Sequence, residues 1–103
     1  MKTLTELQHE IGAWGDATFP QSNIDTVAEH LAEEVVEFFD DYRSGLDSQE
    51  EELADMFLLM LHFAHKSGFD MAEAAERKMA INRARKWNIK AEPAGHFKHV
   101  EIT

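Results

Sequence analysis

Residues 30–37 read His30-Leu31-Ala32-Glu33-Glu34-Val35-Val36-Glu37, and residues 52–55 read Glu52-Leu53-Ala54-Asp55. Each stretch carries two acids three residues apart. On an α-helix that spacing stacks the two carboxylates on one face. Leu31 and Phe38 flank Glu34 at helical distance, so Glu34 falls inside an apolar stripe. Asp55 stands between Leu53 and Met56, beside a second apolar face. Acids at such positions need a partner, because an unpaired buried charge is costly.

Two such helices side by side bring four carboxylates together. Unit charges about 4 Å apart repel by about 4 kcal/mol at an effective dielectric of about 20. The cluster must take up protons or a cation. Oxygen donors without sulfur suit Mg²⁺ or Mn²⁺. A milder explanation stays open for each pair alone. Acids such as Glu50, Glu51 and Glu52 favour the positive end of a helix, and Glu33 and Glu37 could be solvated.

Working outward, the chain divides into four helical segments. Thr3 and Glu6 form a capping box ahead of a helix over about 3–14, ended by Gly15 and the run to Pro20. Val27, Leu31, Val35 and Phe38, widened by Phe39 and Tyr42, place a second helix at about 23–43, with Gly45 as its left-handed stop. Ser48 and Glu51 signal a third over about 49–66, stopped by Gly68. Leu53, Met56, Phe57, Met60, Leu61 and Ala64 are its expected buried face. Leu58, Leu59 and Phe63 make it apolar nearly all round, which predicts cover on both sides and hence self-association. Asp70 and Glu73 open a fourth helix over about 71–87. Residues 88–103 read as an extended tail with a short strand near His99–Ile102. The class is all-α.

The net charge of -10 argues against nucleic acid as a partner. Charge is unevenly placed: residues 29–55 hold 11 acids and one base, Arg43, whereas residues 77–90 hold 6 bases and no acid. Lys78, Asn82 and Arg85 recur at i, i+4 and i+7, a row suited to phosphate oxygens. A basic row near a helix end also complements the helix dipole, so solvation alone explains it as well. Trp14, Phe19 and Trp87 are candidates for stacking on a base, or for ordinary core and interface roles; His30 either faces the site or is an ordinary partly buried histidine. No cysteine, Gly-rich phosphate loop or GxSxG elbow is present. Neither acidic helix pairs Glu-x-x-His as a di-iron bundle does, although His62 and His65 follow on the third segment. No run is long and apolar enough for a bilayer, and no signal peptide is evident, so a cytoplasmic protein is expected.

Glu33-Glu34-x-x-Glu37, then Glu52-x-x-Asp55, then Lys78-x-x-x-Asn82-x-x-Arg85-x-Trp87, resembles the signature of the all-α NTP pyrophosphohydrolase superfamily, called MazG-like. Trp14 with Thr18-Phe19-Pro20, and the block His30-Leu31-x-Glu33-Glu34, are similar to its dATP/dGTP pyrophosphohydrolase branch. The resemblance implies a four-helix bundle completed by oligomerisation, as homodimer or homotetramer. It implies cleavage of a nucleoside triphosphate between the α and β phosphates, giving monophosphate and pyrophosphate, with Mg²⁺ as cofactor and Mn²⁺ able to substitute. Glu34, Glu37, Glu52 and Asp55 would be metal ligands. Glu33 would position or activate water, Glu37 and Lys78 would share in catalysis, and Lys78, Asn82 and Arg85 would hold phosphates. Trp14, Phe19 and His30 would complete the substrate site. The expected division is a helical domain over 1–87 and a tail over 88–103. The rival readings are an acidic metal-binding oligomerisation module without hydrolase activity, and a hydrolase of the same fold acting on a non-nucleotide phosphate metabolite.

Overall fold

The structure is a computed structural model, and it describes residues 1–87 and 99–100. The chain forms two compact units, Met1–Ala72 and Glu73–Thr103. Four helices run in order: α1 Leu4–Thr18, α2 Ile24–Arg43, α3 Gln49–Ser67 and α4 Met71–Ala84.

In the first unit each helix begins and ends for local reasons. Thr3 and Glu6 exchange side-chain and backbone hydrogen bonds, the capping box that the sequence predicts. Asn23 and Thr26 do the same for α2. Gly45 and Gly68 take φ of 79° and 82°, the left-handed region that glycine enters freely. Each closes its helix with paired bonds. Leu46 N–H reaches Asp41 O while Gly45 N–H reaches Tyr42 O, and Phe69 N–H reaches Ala64 O while Gly68 N–H reaches His65 O.

Two expectations at helix ends fail. The predicted cap of α3 does not form: Ser48 has ψ of 13°, so its hydroxyl makes no capping bond. That hydroxyl donates instead to the Glu52 carboxylate one turn on. Nor does Gly15 end α1, which runs on to Thr18. Gly15 is buried in the last turn of α1 against the His62 ring, where a Cβ would sit 2.6 Å from Cε1. Its role is space, not chain reversal.

Helix α3 packs against both α1 and α2. The core is Val27 of α2 with Met56, Leu61 and Ala64 of α3, and Leu61 is wholly buried. The predicted buried face of α3 holds only in part: Leu53 is 48% and Phe57 38% exposed. Gly12 and Gly15 of α1 meet His65 and His62, so α1 covers the C-terminal half of α3. On α2, Val35, Val36, Phe39 and Tyr42 stay exposed. Buried Gln8 ties α1 to the start of α4, donating to Phe69 O at 2.7 Å and accepting from Met71 N–H at 2.9 Å. Asp70 accepts from Ala72 N–H at 2.9 Å, an N-terminal cap for α4.

The second unit holds the rest of α4 and an antiparallel pair, β1 Lys86–Trp87 with β2 His99–Val100. The strand expected near His99–Ile102 is present over His99–Val100; Glu101 and Ile102 lie outside the described residues, as does most of the predicted tail. Helix α4 stops at Ala84, not at 87, because Lys86 and Trp87 are drawn into this pairing.

Candidate active site

Helices α1, α2 and α3 enclose a cavity of about 590 Å³, within the size range of small-ligand sites. Helix α1 contributes Ile11, Trp14 and Gly15, and Phe19 follows it. Helix α2 contributes Val27, His30 and Glu34, and α3 contributes Asp55, Leu58, Leu59 and His62. One wall is therefore aromatic and aliphatic, and two carboxylates stand on the facing helices.

Each predicted residue can be placed. Trp14 and Phe19 line the cavity about half exposed, packed edge to face with centroids 5.5 Å apart. Open aromatic faces of this kind suit a planar base. Glu34 also lines it, and its side chain is 20% exposed, as a stripe position implies. His30 Nε2 lies 3.3 Å from the Glu34 carboxylate. Asp55 lines the cavity and is exposed there, not sheltered as its neighbours in sequence suggest.

Glu33 and Glu37 are exposed on α2 and do not line the cavity; nor does half-buried Glu52. Among the described residues no group of three or more His, Asp or Glu side chains is closed into a cage able to hold a metal ion. One observation, at Glu52, fits a hard divalent cation. One Glu52 oxygen takes the Ser48 hydroxyl, and the other, Oε2, is buried without a hydrogen-bond partner among the described residues. Such an atom is what a cation would satisfy.

Of the basic row, Lys78 and Asn82 stand on α4 in the second unit, Lys78 exposed and Asn82 half-buried. Arg85 is not on the helix but just past its end. Its N–H still reaches Ile81 O at 3.1 Å, continuing the helical ladder by one bond.

A second group beside the cavity escaped the sequence reading. The Asp16 carboxylate receives Lys66 Nζ at 2.8 Å and His62 Nε2 at 3.1 Å on one oxygen, and His65 Nε2 at 3.3 Å on the other. Lys66 also donates to Ser22 O at 3.2 Å, tying down the α1–α2 connection. The Lys66 bond first, then that of His62, lowers the Asp16 carboxyl from 3.8 to about 2. A carboxyl depressed in the fold contributes stability that is present above its unfolded value near 3.9 and lost as pH falls through the folded one. Between pH 4 and pH 2 the melting temperature of Asp16→Asn is expected to fall less than that of the wild type. Parallel acid limbs in calorimetry would count against this ion-pair cluster.

The fold and site define a class: the all-α, MazG-like pyrophosphohydrolases. A solved structure from Cyanophage S-2L, a MazG-like pyrophosphohydrolase bound to dGDP and three catalytic Mn²⁺ ions per active site, superposes with a TM-score of 0.83. It is 33% identical, over 99% of this chain and 97% of that one. A dATP/dGTP diphosphohydrolase of Cyanophage S-2L is 38% identical over 85 residues, which cover 82% of this chain and 78% of the relative. A dATP/dGTP diphosphohydrolase of Salmonella phage PMBT28 is 39% identical over 85 residues; the match spans only 28% of that longer protein. The family model for dATP/dGTP pyrophosphohydrolase matches residues 7–102, and the chain belongs to that family.

Proposed function

We propose that this chain is a divalent-metal-dependent pyrophosphohydrolase that cleaves a deoxynucleoside triphosphate, dATP and dGTP foremost, to the monophosphate and pyrophosphate. The observation that carries the reading is the shared cavity, with Trp14 and Phe19 on one side and Glu34 and Asp55 on the others. The names of the relatives support the substrate class.

In this reading Glu34, Glu37, Glu52 and Asp55 hold the metal, Mg²⁺ in preference and Mn²⁺ as substitute. When bound, the metal lowers the pKa of water and neutralises phosphate charge. Glu33, exposed beside Glu34, orients the attacking water. Lys78, Asn82 and Arg85 hold phosphate oxygens, and Lys78 adds charge stabilisation as pyrophosphate departs. Trp14, Phe19 and His30 hold the nucleoside. The role is cleansing of standard or modified nucleotides from the pool, in the cytoplasm, and the helical domain over 1–87 carries it with 88–103 as a tail. Among the described residues no helix is long and apolar enough to cross a membrane.

The exposed Val35, Val36, Phe39 and Tyr42 of α2, with Leu53 and Phe57 of α3, support a homodimer or homotetramer that covers them. A nucleotide panel with Mg²⁺, resolved by chromatography, is expected to give monophosphate and pyrophosphate from dATP or dGTP. Orthophosphate as the product, or no turnover on any nucleotide, would overturn the reaction. Light scattering of the same sample is expected to give at least twice the chain mass; a monomer at micromolar concentration would overturn the assembly.

A further inference from the structure

We infer that His62 contacts the ligand in the cavity: held by Asp16, its imidazole presents a hydrogen-bond acceptor to an N–H or O–H donor of the bound nucleoside. The inference rests on the nucleotide reading above and adds a residue to it.

Among the described residues only Gln8 and His62 are buried polar side chains. Gln8 spends both ends of its amide on backbone groups of the fold. His62 is 5% exposed and lines the cavity, so the little surface it has lies where a ligand would sit. Its Nε2 is 3.1 Å from the Asp16 carboxylate. A carboxylate only accepts, so Nε2 carries the hydrogen, and a ring holding that one proton keeps Nδ1 as an acceptor.

The fold takes trouble over this one ring. Gly15 stands in the last turn of α1, and a Cβ there would strike the imidazole at 2.6 Å. Asp16 is itself fixed by hydrogen bonds from Lys66 and His62 and by a contact with His65. An apolar side chain would fill the same volume without burying a polar ring. Beside Ile11, Leu58 and Leu59, a fixed acceptor is the kind of polar group that orients a ligand in an apolar cavity. Asp16 and Lys66 act through His62 and are positioning residues.

Calorimetric titration of the full chain with deoxyguanosine 5′-monophosphate tests the assignment. His62→Gln keeps a donor for Asp16 but loses the Nδ1 acceptor. It is expected to weaken binding about tenfold, the upper range for one hydrogen bond. His62→Asn, with a carbonyl oxygen near the Nδ1 position, recovers part of that loss. The 2′,3′-dideoxy nucleotide locates the donor. If the donor is the sugar hydroxyl, wild type and His62→Gln bind this analogue equally; if it is on the base, the tenfold gap persists. Wild-type affinity of His62→Gln for both nucleotides would overturn the role of His62. Should that variant not fold, Asp16→Asn, which frees the tautomer, is expected to weaken deoxyguanosine monophosphate about threefold, and equal affinity would overturn it. Failure of the wild type to bind either nucleotide overturns the reading beneath, a result distinct from equal affinities.

Discussion

Glu34→Gln is expected to lower metal-dependent pyrophosphate release about 10²–10³-fold, the range seen when one pre-set electrostatic group is removed from an active site. The side chain is 20% exposed, lies in the apolar stripe and faces the cavity. An amide of the same shape keeps the packing and loses the charge. Without metal the variant should melt no lower than the wild type, since only the exposed His30 contact is lost and exposed pairs contribute little. With metal the wild type should gain stability by mass action and the variant much less. Pyrophosphate release and melting with and without chelator read both effects. Wild-type turnover in Glu34→Gln would remove Glu34 from the site.

Gly12→Ala is expected to destabilise the protein by about 2–3 kcal/mol, the range for overpacking a tight contact. Propensity predicts the reverse, because alanine is about 1 kcal/mol better than glycine inside a helix. Packing decides the sign. A Cβ at Gly12 would lie 2.3 Å from Cγ of His65, the ring atom nearest the backbone and least able to swing away. Relief therefore requires α1 and α3 to part. Urea unfolding measures it, and a variant as stable as the wild type would show that the helices separate freely. Gly45, where nothing lies near an added Cβ, is left-handed instead, so its replacement is limited by backbone strain and not by crowding.

Helix stops were legible because they are local: Gly45 and Gly68 need only their own φ. The box at Thr3 was legible for the same reason. The end of α1 was not. Gly15 looks like a breaker in isolation, and the His62 ring explains its burial inside the last turn. The end of α4 at Ala84 depends on His99 and Val100, distant in sequence. In the site, Glu34 could be read because an acid in an apolar stripe is anomalous by itself. The Asp16 group could not, since each member is ordinary alone. A signal did exist: Gly12 and Gly15 repeat the three-residue spacing of His62 and His65, notches cut to match two rings. That Leu53 is exposed also escaped pattern reading, because periodicity marks a face and not what covers it.

The diverted Ser48 hydroxyl has a further consequence, in the terms of local unfolding. Thr3, Asn23 and Asp70 each give a helix start a side-chain acceptor, and Ser48 gives α3 none. The first turn of α3, residues 49–52, lacks the side-chain acceptor that α1, α2 and α4 have, and is expected to open more readily than theirs. Glu52 sits on that turn, with one oxygen tethered to Ser48 and the other buried without a hydrogen-bond partner among the described residues. Fraying there trades one hydrogen bond for hydration of a carboxylate. A cation gripping Glu52 would reverse the trade, and occupancy of the site would be felt as slowed amide exchange at a helix end.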